Sequence, residues 1–397
     1  MARPAGTLAV LKALASNPRI LKARPRTIRF LCRYMRAFRV QRAGRNLILH
    51  SHLPPLNSKA YSRFVDEHLV ARSDGPSHAQ VGLTDQCPQN CAYCYNRGRK
   101  GTPMDTPTIL RVIRELRELG VFWMGFTGGE PLLNKDIVAL TEAASPECSV
   151  KLFTTGCGLT PGLATGLRDA GLFSVSVSLD HWEEKEHDRS RGYTGAFRAA
   201  MRAINTFRAA GGIQVGVSAV LSKDMLRPER IESFIGFLDG LGIDEAWLSE
   251  AKPSVPALWS DDLLITEEER RGLTALQDRR NRRNGMTVNY LGHFEGADRF
   301  GCNAGRKMVY VDAYGEVGPC VFAPMTFGNV RNAPLRDICG DMARHFPPGR
   351  ACFMNENFRL FREAAGDGLP LSREGSVALL KNVRLGPPPE FERLIRG

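Results

Sequence analysis

At 397 residues the chain exceeds a typical single domain, and its 43% hydrophobic content supplies a sizeable core and excludes intrinsic disorder. No run of eighteen apolar residues occurs, which excludes a membrane-spanning helix. Ten cysteines, mostly clustered and without a signal-peptide pattern, indicate metal ligation in a reducing, cytoplasmic compartment rather than a disulfide framework.

The net charge of +12 is unevenly spread: residues 1–65 hold fourteen Lys or Arg and no Asp or Glu, leaving −2 for the rest. Residues 1–75 are therefore read as a basic arm. An apolar segment, Leu8 to Leu14, ends near Asn17-Pro18. From Thr27 to Val40 the periodicity predicts a helix with Ile28, Leu31, Met35 and Phe38 on one side and Arg26, Arg29, Arg33 and Arg36 on the other. Such a helix suits the inner face of an anionic membrane, to which it would be peripheral. Equally, its apolar side can pack on the rest of the protein while the arginines are solvated. No nucleic-acid module accompanies the stripe, so nucleic acid is not an expected partner.

Beyond Ser73-Asp-Gly-Pro, strand-like runs at 79–83, 122–126, 150–154, 174–179, 215–221 and 245–248 alternate with helical runs at 107–119, 136–144, 161–170, 195–210 and 228–241. This alternation predicts parallel strands joined by right-handed crossovers, with functional residues at strand C-terminal ends. The first strand leads into Cys87-Pro-Gln-Asn-Cys91-Ala-Tyr-Cys94. Three thiolates so spaced can hold three irons of a [4Fe–4S] cubane and leave the fourth open to a ligand. A zinc site is the competing reading, but only one Cys-x2-Cys pair occurs, inside the triplet.

The triplet, with Tyr93 before its last cysteine, resembles the radical S-adenosylmethionine (radical SAM) family. The resemblance implies that the open iron chelates S-adenosylmethionine and that reductive cleavage yields a 5′-deoxyadenosyl radical. Electrons would come from a donor such as flavodoxin or ferredoxin. The six strand–helix units resemble the family's partial (β/α)6 barrel. After the second strand, Thr127-Gly128-Gly129-Glu130-Pro131 resembles the family's Gly-Gly-Glu-Pro motif, whose backbone and glutamate, here Gly128, Gly129 and Glu130, are expected at the methionine amino group. The third strand ends in Thr154-Thr155. Alternation along the fourth puts Ser174, Ser176, Ser178 and Asp180 on one face. By resemblance Thr155, Ser178 and Asp180 lie near cofactor or substrate, although Asp180 can equally be a turn cap. His187-Asp188-Arg189-Ser190-Arg191-Gly192 matches a further family stretch, and its Arg191 suits the cofactor carboxylate.

Thr266-Glu267-Glu268-Glu269, followed by Arg279, Arg280, Arg282 and Arg283, reads as a capped helix with charges matched to its dipole and no ligand. After Phe300 the spacing Cys302-x12-Gly315-x4-Cys320, on a hairpin, resembles the SPASM/twitch extension and implies an auxiliary iron–sulfur cluster. The Cys-x2-Cys-x5-Cys-x3-Cys run of a second auxiliary cluster is missing. Downstream only Cys339 and Cys352 remain as ligands, Asn355 standing where a partner of Cys352 is usual. The implied site is Cys302, Cys320 and Cys352, with either Cys339 or an open iron. Cys32, Cys148 and Cys157 are read as small buried residues.

The expected organisation is an α/β protein with an arm (1–75), a core barrel (76–252), a linker with a helix (253–299), an auxiliary cluster region (300–364) and a tail (365–397). The expected function is hydrogen abstraction from an unactivated carbon, of oxidoreductase or transferase class. A lipidic or membrane-associated substrate is suggested by the arm, with a ribosomally made peptide or another small molecule as alternatives. A non-enzymatic iron–sulfur carrier or sensor is the rival class, disfavoured because it has no use for Gly-Gly-Glu-Pro after an open triplet.

Overall fold

Seven parallel strands form the body of one sheet: β4 (His78–Gly82), β5 (Trp123–Thr127), β6 (Ser149–Thr154), β7 (Ser174–Ser178), β8 (Gln214–Leu221), β9 (Glu245–Glu250) and β10 (Thr287–Tyr290). They follow β1 (Arg3–Pro4), β2 (Gln41–Ala43) and β3 (Asn46–Ile48), which make a small separate sheet. The computed structural model describes residues 3–4 and 17–396, apart from 146, 284, 348, 350, 384 and 385; the apolar segment Leu8 to Leu14 lies outside the described residues. Each crossover carries a helix, and strands such as β5 are buried at every position, as parallel strands covered on both faces require. The result is the expected α/β partial barrel, its six predicted strands all present within one or two residues.

Two features extend it. Residues 287–290, expected within a linker, form β10 and pair parallel to β9. The hairpin strand β11 (Met308–Val311) pairs parallel to β4, and β12 (Val317–Gly318) returns antiparallel to β11. The auxiliary region is thus an extension of the barrel sheet itself. The capping box appears as read: Thr266 Oγ1 accepts from Glu269 N–H at 3.2 Å, and the Glu269 carboxylate accepts from Thr266 N–H at 2.6 Å, starting the helix Glu267–Asn281.

The basic arm is built differently from its membrane reading. Its helix, Pro25–Met35, stops before residue 40. Phe30, Leu31, Tyr34 and Phe38 are buried in a cluster with Phe294 and Phe300, and the Phe30 and Phe300 rings meet Phe391 at 5.3 and 4.7 Å. The apolar side is therefore spent inside the protein, where burying such rings stabilises by about 1.5–3 kcal/mol each. The arginines remain outside, Arg33 pairing with Glu390. Among the described residues no helix is long and apolar enough to cross a membrane.

After the helix, residues 50–52 plug the N-terminal mouth of the barrel. His52 C=O accepts from His78 Nε2 (3.1 Å), and Ser51 C=O accepts from Trp123 Nε1 (2.8 Å). Ser51 N–H donates to the Glu245 carboxylate (3.2 Å) and Ser51 Oγ accepts from Lys151 Nζ (2.5 Å). Asn289 of β10 completes Glu245 at 2.8 Å. Lys151, fully buried, stands 3.6 Å from the centre of the Trp247 ring, and burial pulls it down to about 7, against the opposing pull of Glu245.

Candidate active site

Above this plug lies a cavity of about 250 Å³. Its floor is made by His52, Trp123, Phe153, Trp247 and Phe294; its walls rise along strand ends to Thr127, Gly128, Gly129, Thr154, Thr155, Ser178 and Ser218. Cys87, Cys91 and Cys94 border it on one side and Cys302, Cys320 and Cys352 on another. Both cysteine sets therefore face one continuous space.

The loop carrying the triplet is held by its neighbours. Gly129 N–H donates to Thr84 C=O (2.7 Å) and Glu130 N–H to Gln86 C=O (2.6 Å), which draws the two loops so close that a Cβ on Gly129 would lie 2.1 Å from Gln86 O. Only glycine fits there. Tyr95 Oη meets Thr127 Oγ1 at 2.5 Å, Asn96 Nδ2 donates to Gly128 C=O at 2.5 Å, and Tyr310 Oη donates to Asn96 Oδ1 at 2.7 Å. A buried Arg99–Asp312 ion pair at 3.0 Å ties the end of this loop to β11. The loop that offers thiolates is thus fixed from both the barrel and the hairpin.

Glu130 and Asp180 stand behind the cavity wall instead of in it. The Glu130 carboxylate, fully buried, accepts from Leu132 N–H (3.0 Å), Thr154 Oγ1 (2.6 Å), Thr155 N–H (2.6 Å) and Thr155 Oγ1 (2.5 Å). In this structure its acceptors are taken by the chain, and it staples the end of β6 to the Gly-Gly turn. Burial raises its pKa, with the two threonine hydroxyls opposing.

Asp180 is a similar hub. Oδ1 accepts from Arg191 Nη2 (2.8 Å) and Val220 N–H (2.9 Å); Oδ2 accepts from Ser190 Oγ (3.2 Å) and from the Tyr93 hydroxyl. Burial pushes the carboxyl up, but Arg191, His187 and these hydrogen bonds outweigh it and hold it below its usual range. The turn-cap alternative for Asp180 gives way to this latch.

Arg191, read as a carboxylate ligand, already has that partner in Asp180, while its Nε is buried without one. Its guanidinium lies 5.6 Å from the Tyr93 ring centre and its C=O accepts from Asn90 N–H (3.0 Å). His187 Nδ1 accepts from Asp180 N–H (3.1 Å), and Asp188 caps Gly195 and Phe197 N–H. Gly192, at φ +57°, ends the helix where a Cβ would come 2.7 Å from Asn90 O. The His-Asp-x-x-Arg-Gly stretch is chiefly a lock between β7 and the cysteine loop, while Arg189 pairs with Glu186 on the surface.

The residues present fit two clusters. Although Cys87 is exposed, partial desolvation by its neighbours pushes its thiol up to about 11, against a Gln89 N–H directed at its sulfur. Burial also raises Cys91, which Arg191 opposes. On the second side burial raises Cys302, and lifts Cys320 to about 12 and Cys352 to about 11. Backbone N–H groups point at each of these sulfurs: Ala304 at Cys302, Phe322 and Ala323 at Cys320, and Asn355 at Cys352. Iron displaces the thiol protons, which leave to solvent, and N–H to sulfur bonds stabilise the resulting thiolates. Among the described residues no three His, Cys, Asp or Glu converge on one point as a mononuclear ion requires, whereas a cubane takes each thiolate at a different corner.

Cys339 is not brought to this group. It is buried in the helix Leu335–His345, apart from the cavity lining, and the charge it feels is Glu115. Of the three cysteines read as ordinary buried residues, Cys148 is buried and donates to Val121 C=O (3.0 Å), Cys157 is half-buried, and Cys32 is exposed.

Sequence reasoning missed a charged cluster at the end of β9. Lys252 Nζ, buried, bridges Glu250 and Glu295 at 2.8 Å each; Glu250 also accepts from Asn355 Nδ2 (2.6 Å) and Arg270 Nε (3.2 Å). All three members of the bridge line the cavity. The available signal was position: Ser249-Glu250-Ala251-Lys252 is the C-terminal end of a barrel strand.

A family model described as the Radical SAM superfamily matches residues 81–237, and one described as an iron-sulfur cluster-binding domain, SPASM, matches residues 302–363. The chain is 26% identical to the AdoMet-dependent heme synthase of Methanosarcina barkeri, over 68% of this chain and 84% of that one. It is 27% identical to the PqqA peptide cyclase of Gluconobacter oxydans, over 66% and 76%. Among solved structures, SuiB of Streptococcus suis bound to S-adenosylmethionine superposes with a TM-score of 0.59 at 16% identity, covering 76% of this chain and 79% of that one. At that identity the likeness bears on the fold.

Proposed function

The chain belongs to the radical SAM superfamily, with a SPASM iron-sulfur cluster-binding domain, and from that premise we propose that this enzyme modifies a side chain of a ribosomally made peptide. The observation that carries this reading is the single cavity bordered by both cysteine sets, with an aromatic floor. The PqqA peptide cyclase, by its name, acts on a peptide, which supports the same reading. The lipidic reading is weakened, because Leu31 and Phe38 of the arm helix are buried and Ile28 and Met35 pack against the same cluster.

When bound between these walls, S-adenosylmethionine and the first cluster would supply radical chemistry for hydrogen abstraction from substrate. The protein's part is orientation and exclusion. Cys87, Cys91 and Cys94 hold the first cluster; Gly128, Gly129, Thr155, Ser178 and Arg191 form the wall toward the cofactor. Tyr93, Glu130 and Asp180 are positioning residues, through the hydrogen bonds described above. Cys302, Cys320 and Cys352 hold the auxiliary cluster. An acidic donor of flavodoxin or ferredoxin type would meet the exposed Arg97 and Lys100 beside the triplet.

The test is mass spectrometry of peptide and lipid extracts from a strain lacking the gene, the parent and a Cys87→Ala complement. A peptide whose mass differs only where the active enzyme is present supports the reading. A difference confined to lipids overturns it.

A further inference from the structure

The auxiliary site has three cysteines on the cavity and needs a fourth donor or an open iron. Cys339 is directed elsewhere. Asn355, which occupies the usual cysteine position, turns its side-chain amide to Glu250 at 2.6 Å and gives its backbone N–H to Cys352.

Two acidic side chains face the same space, and of these Glu250 is already taken by Lys252, Arg270 and Asn355, which leaves Glu295. Glu295 follows the short helix Leu291–Phe294 and precedes Cys302 by seven positions. It lines the cavity together with Cys302, Cys320 and Cys352. Its carboxylate is aimed by Lys252 Nζ at 2.8 Å, and Lys252 in turn is anchored on Glu250 and lies within electrostatic reach of Cys352. A carboxylate fixed by a buried cation, beside three thiolates that lack a fourth partner, has the form of a metal ligand with its supporting contact.

We propose that the Glu295 carboxylate is the fourth protein ligand of the auxiliary cluster, with Lys252 as the positioning residue that orients it. This rests on the assignment of Cys302, Cys320 and Cys352 to that cluster. It implies that the auxiliary cluster is fully protein-bound and that substrate is held by the cavity wall instead of by iron.

The test uses full-length, anaerobically reconstituted protein carrying Cys87→Ala, Cys91→Ala and Cys94→Ala, so that only the auxiliary cluster remains. Iron is counted, and Mössbauer and EPR spectra are taken before and after one-electron oxidation with ferricyanide. The parent is expected to keep about four irons through oxidation. Glu295→Ala is expected to fall to about three and show the three-iron signal, because the corner without a protein ligand is released. Glu295→Cys should restore about four irons with altered Mössbauer parameters at one site. Thermal unfolding of each variant separates loss of iron from loss of fold, and the cysteine variant gives the answer if the alanine variant does not fold.

Three results overturn the inference. In one, the parent loses an iron as readily as Glu295→Ala. In another, Glu295→Cys leaves the spectra unchanged from those of the parent. In the third, Asn355→Ala or Cys339→Ala gives the three-iron form while Glu295→Ala does not. If the triple-cysteine background binds no iron at all, the three-cysteine assignment fails, and that outcome is distinct from the other three.

Discussion

The two mouths of the barrel solve the same problem, the satisfaction of polar groups at strand ends, in opposite ways. At the C-terminal mouth Gly129, Glu130, Asp180 and Arg191 lock one loop to the next and leave a cavity between two sets of thiols. At the N-terminal mouth His50, Ser51 and His52 arrive from the arm and close the space, pairing with the early residues of β4, β5, β6 and β9. One end is organised to admit a ligand and the other to exclude water. An active site in which a reactive radical must be shielded needs both.

The sharpest way to break this comparison is to remove the first cluster without touching the floor. The Cys87/Cys91/Cys94→Ala protein should lose about four irons per chain and all release of 5′-deoxyadenosine, while its thermal unfolding, compared with both proteins stripped of metal, stays close to that of the parent. Iron analysis and chromatography of the nucleoside products check this. Next, Trp123→Ala removes a fully buried ring and the hydrogen bond to Ser51; a loss of about 3–5 kcal/mol in urea unfolding is expected. A loss under about 1 kcal/mol would mean the plug does not bind the barrel tightly.

The floor should also carry an acid sensitivity. Burial pulls His50 down to about 3, His78 to about 4 and His293 to about 4, and lowers His52 well below its usual range. Their folded values lie below the unfolded value of about 6.5, so their contribution is complete above about pH 6.5. It is lost as pH falls toward the folded values, by up to about 1.4 kcal/mol per pH unit for each histidine that must charge on unfolding. Urea midpoints between pH 7 and pH 4.5 check the slope, and His78→Gln should flatten it. The smallest effect is expected from the arm: Arg33→Ala breaks a half-exposed pair with Glu390 and should change stability by no more than about 1 kcal/mol. Binding to anionic liposomes should be weak in both proteins, because the helix has no free apolar side to insert.

What could be read from sequence follows the range of the interactions involved. The Cys87–Cys94 spacing is complete within eight residues, and each core strand announces itself by β-branched and apolar residues flanked by a helix. The locations of Gly128 and Gly129 were legible for the same reason. The task of Glu130 was not, because its partners Thr154 and Thr155 sit a strand and a helix later. Thr287–Tyr290 is short and contains Asn289, whose partner Glu245 is 44 positions away, so it read as linker. His50-Ser-His52 reads as a polar turn until the strand ends that receive it are in place. Glu295 carries no motif; only the fold brings it to the cysteines.

The pairing of β11 with β4 has a consequence for how this chain can be divided. β4 is a core strand of five residues, buried at all but Gln80, and β11 is what covers its outer edge. A truncation before Met308 would strip that edge and expose its unpaired N–H and C=O groups as a template for another chain. The barrel separated from its auxiliary region should therefore self-associate through β4, and the two cluster-bearing parts must be expressed as one polypeptide.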